Sequence, residues 1–187
     1  MQPFTSLSTR NADVKVRSQE RSDEPARLQP GNKILIPNYE PTKCSARRSG
    51  IVRAYAANTN QGLIRNYNED RVAIVLNILK PAARQNESWP KCSFFGIYDG
   101  HGGSRCADFL RDQLHQFVVR QKAFPWNPKE AIKQGFAEAE KRFIEVAEQQ
   151  AETGSLERSG SCAVVVLIVA DMCYVANVGD SRALLSG

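Results

Sequence analysis

Three short segments place carboxylates where they could bind metal ions. In the first, residues 65–71, Glu69 and Asp70 are adjacent and precede an apolar stretch. Oxygen ligands of this kind suit hard divalent cations such as magnesium and manganese. An arginine in the same segment offers a planar fork for a phosphate. A charged surface loop with local salt bridges is the alternative interpretation.

The second segment, residues 94–103, ends in the sequence D-G-H-G-G. An aspartate at the end of a strand would be held rigidly, so each oxygen of Asp99 could serve one of two cations. Glycine lets the backbone approach closely, which makes the Gly100 carbonyl a further candidate ligand. His101 would lie near the same point, and histidine is a side chain that can pass a proton at neutral pH, so it is a candidate proton donor. The alternative is a glycine turn into a helix, with His101 as its cap.

The third segment contains Asp180, which follows an apolar run at a Gly-Asp turn. Alone, this pattern is more typical of a hairpin corner. Two other glycine-rich sites can be excluded. The phosphate-binding G-x-x-x-x-G-K-[ST] sequence and the dinucleotide-binding G-x-G-x-x-G sequence are both absent from the chain.

The elements that must position these segments are strands and two helices. Apolar periodicity predicts a helix over about residues 106–118, and Asn127 with Pro128 predicts the start of a second helix that closes near Gly154. Strands are expected at 51–57, 72–79, 93–98, 161–169, 172–178 and 182–186, with a hairpin turn at 170–171. Strands, two helices and then strands indicate an α+β fold.

Charge divides the chain into two parts. The net charge is +5, and residues 1–50 hold nine of the 25 basic and five of the 20 acidic side chains. We therefore expect residues 1–50 to be a largely disordered basic extension, with a docked piece near 33–38, and residues 51–187 to be a folded domain. The extension is interpreted as solvated, although acidic partners remain an alternative. No nucleic-acid partner is expected.

Composition argues against several other classes of protein. The longest apolar run, residues 162–170, is too short to cross a membrane. The five cysteines are odd in number and form no C-x-x-C pair, so neither a disulfide framework nor a zinc site is indicated. Cys106, Cys162 and Cys173 fall in predicted elements and are interpreted as core residues. Reduced cysteines indicate a cytoplasmic or nuclear location.

Taken together, the segments resemble the PPM-type, or type 2C, metal-dependent serine/threonine protein phosphatases. Four stretches carry the resemblance: 65–71, 94–103, 159–163 (S-G-S-C-A) and 177–185 (N-V-G-D-S-R-A-L-L). The resemblance covers about residues 51–187. It implies a partial α-β-β-α layered sandwich, of which this chain would be the N-terminal half.

The resemblance also implies a site for two manganese or magnesium ions. Asp99 would bridge both ions, while Glu69 and the Gly100 carbonyl would serve one of them. Asp70 would hold a metal-coordinated water. Asp180 matches an aspartate that belongs to a weaker third metal site.

In the same family, Arg65 would bind the substrate phosphate and His101 would protonate the leaving serine or threonine oxygen. The implied reaction is hydrolysis of phosphoserine and phosphothreonine on proteins by a metal-activated water, without a covalent phosphoenzyme. The expected partner is a phosphorylated protein, and the enzyme is expected to be monomeric.

One departure from the family affects the expected activity. Further metal-binding aspartates normally lie in D-G-[LIV]-[WF]-[DE] and D-N sequences, and neither occurs in these 187 residues. We therefore expect this chain to be inactive by itself. The alternative function is a non-catalytic module that binds phosphopeptides or a regulatory partner without turnover.

Overall fold

The computed structural model of the chain describes residues 14–15, 42–46, 48–152 and 157–186. The strands are β1 (Val14–Lys15), β2 (Lys43–Ser45), β3 (Tyr55–Ala57), β4 (Arg71–Val75), β5 (Cys92–His101), β6 (Gly160–Val169) and β7 (Met172–Val178). The helices are α1 (Arg105–Arg120) and α2 (Pro128–Glu152), and a short 3₁₀ turn covers Ala82–Arg84.

Five strands form one antiparallel main sheet in the order β1-β7-β6-β5-β4, and β2 pairs with β3 in a separate hairpin. His101 pairs with Gly160 across β5 and β6. Because neighbouring strands are antiparallel, β4 and β6 begin at the same end of the sheet at which β5 and β7 finish. We call this end, which holds Arg71, His101, Gly160 and Val178, the carboxylate end. The opposite end, with the turn between β6 and β7, is the hairpin end.

One face of the main sheet is covered by the two helices. Strand alternation directs Phe94 and Tyr98 of β5 and Val165 and Leu167 of β6 to this face, and all four are fully buried. Burying an apolar side chain of this size stabilises the fold by about 1.5–3 kcal/mol. The helices contribute their own buried stripes, among them Leu114 of α1. The core therefore lies between the sheet and the helices.

The other face of the sheet is only partly covered. Tyr55 of β3 lies with its ring centroid 6.4 Å from that of Phe95, which points away from the helices. Ile97, on the same face, is 50% exposed. The arrangement is an α+β fold in which helices cover one sheet face and a small hairpin begins a layer on the other, as predicted.

Several predicted elements are confirmed. Helix α1 covers the predicted 106–118, and α2 begins at Pro128 with the Asn127 side-chain oxygen accepting a hydrogen bond from the Glu130 N–H at 3.3 Å. Strands β6 and β7 match their predicted bounds to within one residue. They are joined by a tight turn in which Ala170 has φ 54°.

Other predicted bounds were wrong because a strand needs a partner as well as a pattern. The predicted strand 93–98 continues to His101, since β6 pairs with it through the glycine-rich sequence. The predicted strand 72–79 ends at Val75, and the next carbonyl, that of Leu76, accepts a hydrogen bond from the Ser93 hydroxyl instead. Residues 181–186, predicted as a strand at 182–186, form none in the described part of the chain.

At the N-terminal side, only Tyr55–Ala57 of the predicted strand 51–57 is regular. Its partner β2 lies before residue 51, so this hairpin crosses the expected domain boundary. The docked piece expected near 33–38 and the helix end expected at Gly154 lie outside the described residues. Neither described helix has the length and apolar composition that a membrane crossing requires.

Candidate metal and phosphate site

Asp99 is the third residue from the end of β5, at the carboxylate end of the sheet, and it pairs with Cys162 of β6. Its side chain is exposed, although the flanking Tyr98 and Gly100 are buried. The ladder therefore fixes the backbone of Asp99 while its carboxylate stays accessible. This is the geometry that a strand-end ligand requires.

Asp180 is brought to Asp99 by the turn after β7. One ligand atom each from Asp99, Cys162 and Asp180 lie within 4.8 Å of one another. The Cys162 thiol donates to Asp180 Oδ1 at 3.3 Å. Gly179, with φ 95°, leaves the room this needs, because a methyl group there would collide with the Cys162 sulfur.

The interpretation of Cys162 as a core residue was wrong. It is only half-buried and borders the two aspartates, whereas Cys106 is buried as expected. Burial raises the pKa of the Cys162 thiol, so the neutral form is favoured. The sequence alone could not predict this position of Cys162, because the pairing of positions 99 and 162 depends on the register of two strands that are far apart in the sequence.

Asp70 approaches Asp99 from the loop before β4. Asp99 lies close enough to act on the Asp70 carboxyl group, and the pKa of Asp70 is raised first by burial and then by the neighbouring charge of Asp99. The Asp70 N–H donates to the Asn68 side-chain oxygen at 2.9 Å, which turns the loop locally. Two carboxyl groups are thus held close together.

Glu69 lies beside the glycine-rich sequence. Its Oε1 accepts a hydrogen bond from the Gly103 N–H at 2.5 Å, and its side chain is 10% exposed. The backbone carbonyl of Glu69 lies so close to Gly100 that a methyl group at position 100 would collide with it. Such a methyl group would also lie 3.2 Å from Ala107 Cβ, so only glycine fits here. The structure thus brings Glu69 and Gly100 together.

His101 is exposed at the end of β5, with its imidazole over the backbone of Gly160. A methyl group at position 160 would collide with the ring Nε2 and lie 2.9 Å from Cε1. No role was predicted for Gly160 from the sequence. Gly160 lies in the S-G-S-C-A stretch, but its contact with His101 follows only from the pairing of β5 with β6.

Two arginines of the loop differ in availability. Arg65 is 76% exposed, and its Nη1 lies 3.7 Å from the Glu69 carboxylate. Arg71 is engaged instead: it donates to backbone carbonyls of its own loop and to Asp108. Arg65 is therefore the arginine of this segment whose guanidinium can reach a ligand.

The donor set of this site fits a hard divalent cation. Carboxylate oxygens of Asp70, Asp99 and Asp180 and the backbone of Gly100 converge at one end of the sheet. Oxygen donors of this type are those that magnesium and manganese prefer. Burial and then the charge of Asp99 raise the pKa of Asp70, and a bound cation would relieve the repulsion between the two carboxylates.

The described part of the chain also contains a groove of about 610 Å³ between the helices. Its lining includes Phe109 and Phe117 of α1 and Glu138 and Arg142 of α2. None of the site residues named above lines it. The groove is therefore distinct from the carboxylate cluster, the name we give to Asp70, Asp99 and Asp180.

Comparison with known proteins identifies a family that matches most of the chain. The family described as protein phosphatase 2C matches residues 58–187. A probable protein phosphatase 2C of Caenorhabditis elegans is 46% identical over 98 residues, covering 52% of this chain and 26% of that protein. A probable protein phosphatase 2C of rice, Oryza sativa subsp. japonica, is 38% identical over 94 residues, covering 50% and 18%.

A solved structure described as a C. elegans sex determining protein is also matched, with a TM-score of 0.41 and 18% identity, over 56% of this chain and 24% of that one. That likeness is too slight to carry an argument. The family match, by contrast, spans more than half of the sequence and includes every residue of the carboxylate cluster. The chain belongs to the protein phosphatase 2C family.

Proposed function

We propose that this chain contributes the metal and phosphate site of an enzyme that hydrolyses phosphoserine and phosphothreonine on proteins. The observation that carries the proposal is the convergence of Asp70, Asp99 and Asp180 at one end of the sheet. Membership of the protein phosphatase 2C family supports a protein phosphatase activity.

In this proposal the cations are two manganese or magnesium ions. Asp99 would contact both, Glu69 and the Gly100 carbonyl one of them, and Asp180 a weaker third position. Asp70 would orient water through its carboxylate. When bound, the cations would activate water and neutralise the charge of the phosphoryl oxygens.

Arg65 and His101 supply the remaining chemistry. The exposed Arg65 guanidinium would bind the phosphate through paired hydrogen bonds. His101, as imidazolium, would donate a proton to the departing serine or threonine oxygen, because an alkoxide is a poor leaving group. Its position over Gly160, two residues after Asp99 along β5, supports this role.

The substrate would be a phosphorylated protein, and the enzyme would act as a monomer in the cytoplasm or nucleus. The matched stretches span about a fifth to a third of the length of the curated relatives. In this proposal the 187-residue chain alone turns over substrate poorly, because the site would need further carboxylates. An assay of the purified chain with manganese tests this point, and robust turnover would refute it.

The proposed activity is tested in the complete protein that contains this chain, with Asp99→Asn and a matched control, Asp171→Asn. Asp171 is an exposed aspartate at the hairpin end of the same sheet. We expect Asp99→Asn to lower kcat for a phosphoserine peptide by at least about 100-fold, since it removes charge where phosphoryl charge must be stabilised. Asp171→Asn should leave kcat unchanged.

Equal rates for the two variants would refute the assignment. If neither the wild type nor the variants hydrolyse the peptide but the wild type binds it, the non-catalytic phosphopeptide-binding module is supported instead.

A further inference from the structure

Arg71, the first residue of β4, has its guanidinium directed back at its own loop. Nη1 donates to the backbone carbonyls of Asn68 and Asp70, each at 2.8 Å. Nε donates to Asp108 Oδ1 at 2.6 Å, and Nη2 to Oδ2 at 3.3 Å. The planar fork thus joins two loop carbonyls to one carboxylate on α1.

Asp108 is itself fixed on α1. Its Oδ2 accepts a hydrogen bond from the Ser104 hydroxyl at 3.0 Å, and Arg111 Nη1 lies 2.9 Å from Oδ1. The Asp108 N–H donates to the Ser104 carbonyl in the first turn of the helix. The carboxylate that receives Arg71 therefore belongs to a rigid helix end.

The two carbonyls held by Arg71 flank Glu69. On that loop, the Glu69 carboxylate accepts a hydrogen bond from the Gly103 N–H, and the Asp70 carboxyl group lies beside Asp99. The loop residues at 61–67 are mostly exposed and have no regular structure. Strand pairing alone fixes Arg71 but not the residues before it, so another constraint must hold the carboxylates in place.

We propose that Arg71 and Asp108 form a positioning clamp that fixes Glu69 and Asp70 against the end of β5. Neither residue touches the cations or the substrate. The cation affinity of the site then depends on this ion pair; that second part rests on the proposed function, whereas the fixing of the loop does not.

Stability alone is a poor explanation of the pair. The side chains of Arg71 and Asp108 are 24% and 34% exposed, so any cation at position 71 could supply the favourable charge interaction with Asp108. A lysine could satisfy the charge of Asp108, but it could not bond two carbonyls and a carboxylate in one plane. The geometry points to orientation of the loop as the role of this arginine.

The first test measures amide hydrogen exchange in this chain by NMR. The reporters are the N–H groups of Asp70 and Gly103, which donate to Asn68 and Glu69. In Arg71→Met both amides should exchange at least about tenfold faster, while those in the middle of β5 and β6 keep their rates. Arg71→Lys should not restore protection.

Arg84→Met is the matched control. Arg84 also bonds one carboxylate, that of Glu87, and one backbone carbonyl, that of Phe124. It lies near the C-terminal end of α1, about 20 Å along the helix from the site. This variant should not change exchange at Asp70 or Gly103. Unchanged exchange at these two amides in Arg71→Met would overturn the clamp.

The second test titrates manganese into the same proteins by calorimetry. Loss of the clamp should raise the manganese Kd by about 10-fold, in the range seen when residues behind metal ligands are removed. Arg84→Met should not change it. Faster exchange with an unchanged Kd would overturn the link to cation affinity.

The proposed function and the clamp can fail separately. If wild-type chain binds no manganese but Arg71→Met still speeds exchange at Gly103, the metal site fails and the clamp stands. Should Arg71→Met not fold, Asp108→Ala removes both carboxylate acceptors of Arg71 from the helix side. It should give the same faster exchange, and normal exchange in that variant would equally overturn the clamp.

Discussion

At the hairpin end of the main sheet, Glu87 is paired with Arg84, whereas at the carboxylate end Asp70 lies against another carboxyl group, Asp99. The hydrogen bond from Arg84 lowers the pKa of Glu87, while burial and the charge of Asp99 raise the pKa of Asp70. The pairing of Arg84 with Glu87 favours the folded state without any ligand. The proximity of Asp70 and Asp99 disfavours the folded state when both are charged, and a bound cation would offset that repulsion.

Glycine and alanine show the same contrast. At the carboxylate end, Gly100 and Gly160 leave room for Glu69 and His101. At the hairpin end the turn residue is Ala170, whose φ of 54° would suit glycine better. Glycine is thus used at the site, where a side chain would collide, and not at the turn, where the backbone conformation favours it.

Gly160→Ala should displace the His101 ring. In the complete protein we expect kcat for a phosphoserine peptide to fall by about 10–100-fold, because proton donation contributes that much or more. Hydrolysis of p-nitrophenyl phosphate should fall less, since nitrophenolate leaves without a proton. Adding His101→Ala to Gly160→Ala should cause little further loss. An equal fall for both substrates would indicate damage to the fold instead.

Asp70→Asn should separate the function of the carboxylate end from its stability. We expect the manganese Kd of the chain to rise by about tenfold, because the carboxylate that would hold a metal-coordinated water loses its charge. Without metal, the variant should melt about 1–3 °C higher at pH 7, since the repulsion with Asp99 is removed. Calorimetry and thermal unfolding measure the two effects.

The pH dependence of that gain has a definite sign. Because the folded-state pKa of Asp70 is raised, its contribution to stability is complete below the ordinary pKa of 3.8 and is lost as the pH rises through the raised value. The advantage of Asp70→Asn should therefore shrink as the pH falls towards 4. Glu87, whose pKa is lowered, contributes above its ordinary 4.5 and loses that contribution as the pH falls. A gain that grew in acid would contradict this account.

Cys162 should report cation binding by its reactivity. Burial raises the pKa of its thiol and that of Cys173, so alkylation of both by iodoacetamide should accelerate between pH 7 and 9. Manganese should slow alkylation of Cys162 by about three- to tenfold and leave Cys173 unchanged, because only Cys162 borders Asp99. Peptide mass spectrometry resolves the two sites. Equal protection of both cysteines would count against a local site.

Ala170→Gly should give the smallest effect. Relief of the left-handed backbone outweighs the extra freedom of glycine in the unfolded chain, so we expect about 0.5 kcal/mol of added stability and a melting temperature about 1–2 °C higher. Activity of the complete protein should not change. A loss of stability would show that the turn does not carry this strain.

Much of the fold could be predicted from the sequence where a pattern is local. The seam of α1, the Asn127 cap of α2 and the alternation in β6 and β7 are each set by residues close together in the chain. Pairing is not local. The length of β5 could not be predicted from its glycines, because the partner strand that extends it to His101 lies about 60 residues later.

The candidate site divides in the same way. Asp99, Glu69 and Asp180 were predicted from short sequences, and the structure brings carboxylates from all three segments to one end of the sheet. The place of Cys162 could not be predicted, since it depends on strand register. Nor could the engagement of Arg71 with Asp108, which joins a loop to a helix 37 positions away.

Whether Asp99 binds divalent cations is tested most directly by a crystal of this chain soaked in manganese, with anomalous scattering recorded at the manganese edge. We expect an anomalous peak within about 2.5 Å of an Asp99 carboxylate oxygen, with the loop of Glu69 and Asp70 on one side of it. Manganese bound elsewhere, with the Asp99 oxygens facing only solvent, would contradict it.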